Sequence, residues 1–173
     1  GTRMKVPPPI RSRSDQAALW EGMAAGTIDC VATDHAPHAR GPEEEGAAVW
    51  EGSFGMAGVQ LVLPLMIDAA ISGRCKPADV VRWTSANPAR AFGLYPVKGC
   101  LEPGADADIA VVDPSGSWRV ERPWWASKSD NTAFWGRTGR GRVVATFLRG
   151  RLAAADGRVA GPPAGRRVPA LGQ

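Results

Sequence analysis

The sequence predicts an α/β fold whose last third turns to β structure, and three observations carry that expectation. An extended segment, a helix and an apolar run of β character follow one another within about thirty residues, the outline of a βαβ unit. The apolar run is not alternating, as suits a strand buried on both faces of a parallel sheet. After Gly93 the helical pattern gives way to glycine-rich turns between short β-prone segments.

The elements follow in order. Arg3 to Val6 is extended and stops at Pro7-Pro8-Pro9, because proline fixes φ and removes the N–H donor. Ser14-Asp15 offers an N-cap for a helix from Asp15 to Ala25, with Ala18, Leu19 and Met23 at helical spacing and Gly26 as its C-cap. Ile28 to Thr33 is the apolar strand, ended by Asp34-His35-Ala36-Pro37-His38 and a polar loop through Gly46. Residues 58–73 read as a buried helix interrupted at Pro64. Pro77 opens a helix from Ala78 to Trp83, Asn87-Pro88 marks a break, and Ala89 to Phe92 adds a turn. Ala107 to Val112 is a strand ended by Asp113-Pro114, and Trp118 to Val120 is a second. Val143 to Arg149 and Leu152 to Val159 form a hairpin around Gly150-Arg151. The expected division is 1–95 for the α/β part, 96–160 for a small β-sandwich domain, and 161–173 for a Pro/Gly/Arg-rich disordered tail.

Composition narrows the function classes. A net charge of +4 over 173 residues, without a basic stripe interleaved with aromatics, argues against nucleic acid. No apolar run reaches the ~20 residues of a membrane span. Cys30, Cys75 and Cys100 are scattered and odd in number, which suits reduced thiols in a cytoplasmic protein. Glu43-Glu44-Glu45 reads as a solvated loop, and Trp124, Trp125 and Trp135 as core or contact aromatics rather than ligand-stacking groups.

The chemistry concentrates at Asp34, His35 and His38. Ligands of parallel α/β folds bind beyond the carboxyl ends of the strands. A carboxylate there can ligate a metal and move protons, or simply cap the backbone amides of a strand-end turn. Spacing alone leaves both readings open.

A longer pattern adds to this. Pro8-Pro9-Ile10-Arg11, Leu19-Trp20-Glu21-Gly22-Met23, Gly26-Thr27-Ile28-Asp29 and Ala32-Thr33-Asp34-His35-Ala36-Pro37-His38 resemble, in order and spacing, the last two barrel strands of cyclic amidohydrolases, a group of the amidohydrolase superfamily. Dihydroorotases are the nearest likeness, allantoinases and hydantoinases the next. Phe54-Gly55-Met56-Ala57-Gly58, Asn87-Pro88-Ala89-Arg90, Gly104-Ala105-Asp106 and Ser127-Lys128-Ser129-Asp130-Asn131-Thr132 extend the likeness almost to the tail. The resemblance implies the C-terminal portion of a (β/α)8 TIM barrel joined to a small β-sandwich. It implies zinc, binuclear in the complete enzyme, and hydrolysis of a cyclic amide C–N bond. The expected reaction is dihydroorotate/carbamoyl-aspartate interconversion in pyrimidine biosynthesis.

Carried over by position, Asp34 resembles the catalytic, metal-ligating aspartate that shuttles a proton to the leaving nitrogen. His38 matches a histidine that holds the substrate carboxylate, and Ala36 and Gly55 match positions whose backbones meet the substrate. His35 reads as structural, and Arg11 as facing either an anion or an ion pair within its loop.

Two departures shape the expectation. Dihydroorotases commonly carry Asn before Pro-Pro, where this chain has Pro7, and Trp50-Glu51-Gly52-Ser53 has more of an allantoinase or hydantoinase character. The family's remaining metal ligands lie upstream of the seventh strand, whereas this chain has two histidines, both beside Asp34. A TIM barrel takes ~250 residues, so the chain reads as a fragment, inactive alone and part of a homo-oligomer when complete. The rival expectations are a non-catalytic scaffold for a transcarbamoylase and a split enzyme whose other half is a separate polypeptide.

Overall fold

The computed structural model describes residues 4–38, 50–52 and 54–170. Among these residues four α-helices precede one antiparallel sheet. The helices are α1 (Arg13–Ala25), α2 (Val62–Ile71), α3 (Pro77–Val81) and α4 (Asn87–Ala91), with a π-helical turn, Arg82–Ala86, between the last two. The strands are β1 (Ile109–Arg119), β2 (Thr138–Leu148), β3 (Arg151–Ala155) and β4 (Arg158–Val159), ordered β1-β2-β3-β4.

Helix α1 begins two residues earlier than the sequence suggests. Ser12, not Ser14 or Asp15, is its N-cap: the Ser12 hydroxyl accepts the Asp15 amide at 3.2 Å and the Asp15 carboxylate accepts the Ser12 amide at 3.0 Å. This reciprocal box satisfies two amides that the helix cannot pair internally. Gly26 closes the helix in the left-handed conformation, φ 80°, as expected. Pro64 does not interrupt α2, because it falls in the first turn, where a missing N–H costs no intrahelical bond. Asn87-Pro88 does not break the chain into separate helices either. The widened turn ahead of it lets the Asn87 amide bond the Arg82 carbonyl, and the helix continues past a proline that cannot donate.

The sequence expected strands at Arg3–Val6 and Ile28–Thr33. Among the described residues these positions join no ladder: Lys5 and Val6, and residues 28–33, lie outside any strand. The Val31 amide donates instead to the Trp83 carbonyl at 3.1 Å, and the Asn87 side-chain amide donates to the Asp29 carbonyl at 2.7 Å. The βαβ unit is therefore present as extended chain, helix, extended chain, without strand pairing. A parallel strand needs a neighbour across a crossover, and none is formed here among the described residues.

The sheet differs from expectation in the opposite sense. The two short strands expected around Asp113-Pro114 are one strand, β1, bent by register shifts between Val111 and Val112 and between Asp113 and Ser117. Asp113 Oδ1 accepts both the amide and the hydroxyl of Ser115, at 2.9 and 2.6 Å, so the bulge holds the proline where no ladder donor is needed. Arg149-Gly150 (φ 47° and 75°) and Asp156-Gly157 (φ 48° and 77°) make the two hairpin turns, both with the paired positive φ of type I′. The described residues form one sheet rather than two facing ones, and α2 supplies the covering layer. A β-carbon on Gly141 would stand 2.1 Å from Ile67 Cγ2, so glycine is what lets β2 pass beneath that helix.

Two apolar clusters hold the chain together, and α2 belongs to both. Met23, Met66, Val80 and Trp83 gather α1, α2 and α3. Leu61, Trp118 and Val120 gather the sheet with Trp124, Trp125 and Trp135, so those tryptophans pack as core aromatics, as expected. The remaining 161–170 segment is described without regular structure, and the Arg149 guanidinium bonds the Ala164 carbonyl. Among the described residues no helix is long and apolar enough to cross a membrane.

Candidate functional site

The extended segment that ends α1's return stroke delivers Asp34 at φ 42°, a left-handed conformation uncommon outside glycine. Aspartate tolerates it better than a branched residue does, and such positions cluster at functional sites. The carboxylate is exposed. Immediately after it the chain meets the segment that leads into α2. His35 bridges Met56 in parallel, and the Ala36 amide donates to the Met56 carbonyl at 3.0 Å.

His35 is held as a structural residue. Its Nδ1 accepts the amides of Gly58 and Val59 at 3.0 and 3.2 Å. A ring nitrogen that accepts two N–H groups carries no proton, so the imidazole's proton sits on Nε2. His35 thereby fixes the turn before α2 to the extended segment that bears Asp34.

Ala36, His38 and Gly55 are brought together. Gly55 has φ 100°, and a β-carbon on it would lie 2.7 Å from Ala36 Cβ and 3.1 Å from His38 Cδ2. Only glycine fits both the backbone and the space. The His38 amide turns back to the Ala36 carbonyl at 2.9 Å. The Gly55 amide, expected to face a substrate ring, donates to the Lys5 carbonyl at 3.1 Å. Lys5 in turn bonds the carbonyls of Trp50 and Gly52 and lies 4.2 Å over the Phe54 ring. Arg11 is exposed. Glu43, Glu44 and Glu45 lie outside the described residues.

Sequence reasoning missed the residues behind this wall. The Ser129 hydroxyl donates to the His38 carbonyl at 2.7 Å, and the Asn131 side-chain amide donates to the Gly55 carbonyl at 2.7 Å. Both are buried. Their stretch was noticed only for its likeness to dihydroorotases. Short polar residues amid aromatics, Trp124-Trp125 before and Phe134-Trp135 after, were the available signal of a buried polar loop.

A metal centre of the kind the resemblance implies needs several convergent ligands. Among the described residues no group of three His, Cys, Asp or Glu side chains is placed to hold one. His35 has one nitrogen committed to backbone amides, and Asp34 is the residue here that the resemblance gives as a ligand. These residues do not make a metal site by themselves.

Comparison with known proteins bears on the same residues. The amidohydrolase family pattern matches residues 8–153. A dihydroorotase of Pelotomaculum thermopropionicum is 44% identical over 156 residues, 90% of this chain and 36% of its own length. An allantoinase of Rubrobacter xylanophilus is 39% identical over 170 residues, 97% of this chain and 37% of its own. The solved L-hydantoinase (dihydropyrimidinase) of Arthrobacter aurescens superposes with a TM-score of 0.82 at 32% identity, over 92% of this chain and 36% of that one. The chain thus spans about a third of the length of these relatives. The family pattern covers most of the chain, and the chain belongs to the amidohydrolase family.

Proposed function

We propose that this chain is the C-terminal part of a hydrolase that opens a cyclic amide by C–N cleavage, with dihydroorotate as the favoured ring. The observation that carries it is the juxtaposition of Ala36, His38 and Gly55 directly after Asp34. On this reading residues 1–95 are the last portion of the TIM barrel and 96–160 its β unit. Asp34 takes a proton from the attacking water and delivers it to the leaving nitrogen, work for which a positioned, exposed carboxylate is suited. The His38 imidazole holds the ring carboxylate. Gly55, by lacking a side chain, lets Ala36 and His38 close against its backbone and so shapes the wall that the ring would meet. The zinc that the resemblance implies would take Asp34 as one ligand and its others from polypeptide outside these residues, in a longer chain or a partner.

The deciding experiment assays the chain together with the polypeptide that completes the barrel. Asp34→Ala is expected to lower turnover by about 10²–10⁴-fold with unchanged circular dichroism. Near-normal turnover would sink the reading. His38→Ala is expected to raise KM for dihydroorotate and to leave an uncharged ring, hydantoin, unaffected. An equal effect on both favours a cyclic ureidase of the allantoinase or hydantoinase kind, the reading that Pro7 and the allantoinase match over 97% of the chain support. Co-purification with a transcarbamoylase, without turnover on any ring, would replace both with the scaffold reading.

A further inference from the structure

Three residues are the buried polar ones among the described positions: Ser129, 4% exposed, and Asn131 and Thr132, both 0%. All fall within four consecutive positions of one loop. Burying polar groups costs free energy unless each finds a partner. An apolar loop would pack against the neighbouring tryptophans without that cost. What the polar loop has instead is a set of directed bonds to two segments far away in the chain.

The Ser129 hydroxyl donates to the His38 carbonyl and accepts the Asn131 amide at 3.2 Å. The Asn131 side chain donates to the Gly55 carbonyl, and the Asn131 carbonyl accepts the Ala57 amide at 2.9 Å. The partners lie 91 and 76 residues away along the chain for the two side-chain bonds. From behind, the indoles of Trp125 and Trp135 donate to the carbonyls of Ser129 and Asp130 at 2.8 and 3.0 Å. The loop is thus fastened to the aromatic cluster on one side and to the backbones of both wall segments on the other. It touches the carbonyls of His38 and Gly55, not the groups that would meet a substrate.

We propose that Ser129 and Asn131 are positioning residues: they latch the His38 turn to the Gly55 segment and so set the gap, and the width of ring, that this wall accepts. The inference rests on the proposed function for the word ring, but the latch itself does not. Hydrogen–deuterium exchange on the full 173-residue chain tests it. In Ser129→Ala, amides of Ala36, His38 and Ala57 are expected to exchange about fivefold faster, the effect of one ordinary hydrogen bond, while the β2–β3 ladder keeps its protection. Ser129→Thr, which retains the hydroxyl, is expected to restore the slow rates, a rescue that a merely space-filling role would not show. Asn131→Asp, of the same shape without the donor, is expected to free Gly55 and Ala57 first.

Unchanged exchange at these amides overturns the latch. So does acceleration spread evenly over the sheet, or a Thr variant no better than Ala. Turnover is not read, so a chain that hydrolyses no cyclic amide leaves this result standing. A failed latch likewise leaves the hydrolase reading to its own assay.

Discussion

The two parts of the chain close their backbones in different ways. From Ile109 to Val159 each strand finds its partner next in sequence, and antiparallel pairing runs unbroken from β1 to β4. Before α2 the extended segment Asp29–Thr33 takes single bonds to Trp83 and Asn87, and the Lys5 carbonyl accepts the Gly55 amide, instead of a ladder. The hairpins need a short turn, which the local sequence supplies. The parallel segments need neighbours that come from elsewhere. Exposed apolar side chains occur in both regions, Ile10, Leu19 and Phe54 in the first and Leu152 and Val159 in the second, while α2 helps cover the indole of Trp118 in the sheet. An apolar groove lined by Ile67, Val80, Ile109 and Val112 lies where the helices meet β1.

The comparison can be broken. Trp118 is 6% exposed and stacks on Trp124, with ring centroids 6.1 Å apart. Trp118→Ala is expected to destabilise the sheet by ~3–5 kcal/mol, read by urea denaturation with exchange at β2 and β3. Trp83→Ala, at the heart of the other cluster, should cost a similar amount but release α1 and α3 first. If the Trp83 variant melts the sheet to the same degree, the chain is one cooperative body and the division fails.

Smaller changes sharpen it. Ser12→Ala removes one side of the capping box and is expected to cost about 1 kcal/mol, confined to α1 helicity by circular dichroism. Gly150→Ala places a β-carbon at φ 75°, for about 1 kcal/mol, and is expected to fray the β2–β3 hairpin while α1 stays protected. A helix response to the hairpin variant would again merge the two regions.

The smallest expected effect is in pH. Lys98 pairs with Asp106 at 2.8 Å and with Asp108, joining the segment after α4 to the start of β1. Burial opposes the charge on Asp108, but the bonds from Lys98 and the Arg149 amide outweigh it and hold the carboxyl below its ordinary 3.8. Burial likewise opposes the Lys98 charge, and its bonds to Asp106 and Asp108 outweigh that and hold it above 10.5. The Asp108 contribution is therefore present above the unfolded carboxyl value and lost as pH falls through the depressed folded one. The Lys98 contribution is full below 10.5 and lost as pH rises through the raised one. Lys98→Met is expected to flatten both shoulders of a plot of denaturation midpoint against pH. Shoulders that persist in the variant would assign them to other groups.

Much of the candidate site was legible because it lies in one short stretch. The aspartate and the two histidines fall within five residues after an apolar run, so Asp34, His35 and His38 could be named from the residues, and Ala36 and Gly55 through the resemblance. Ser129 and Asn131 were not, because their meaning lies in bonds that close loops of many tens of residues, and no local pattern encodes such a partner. The N-cap was displaced by two residues because Ser12, Ser14 and Asp15 all suit the role. Reciprocal bonding between Ser12 and Asp15 decided it.

By itself the sequence determined the helix ends at Gly26 and Pro77, a hairpin at Gly150, the run into Asp34 and the family to which these belong. Each depends on dihedral preference, capping or a motif contained within a few residues. The turn at Asp156-Gly157, which splits the expected strand Leu152 to Val159, appeared only in the structure. Only the tertiary structure decided that the apolar run before Asp34 stands without a ladder. The same holds for β1 bending through Asp113-Pro114 rather than ending there, for α2 serving both clusters, and for a loop of the β unit holding the wall at His38 and Gly55. Those outcomes depend on which surfaces and backbone groups meet across the fold, and that is set by packing between distant segments rather than by the preferences of any one of them.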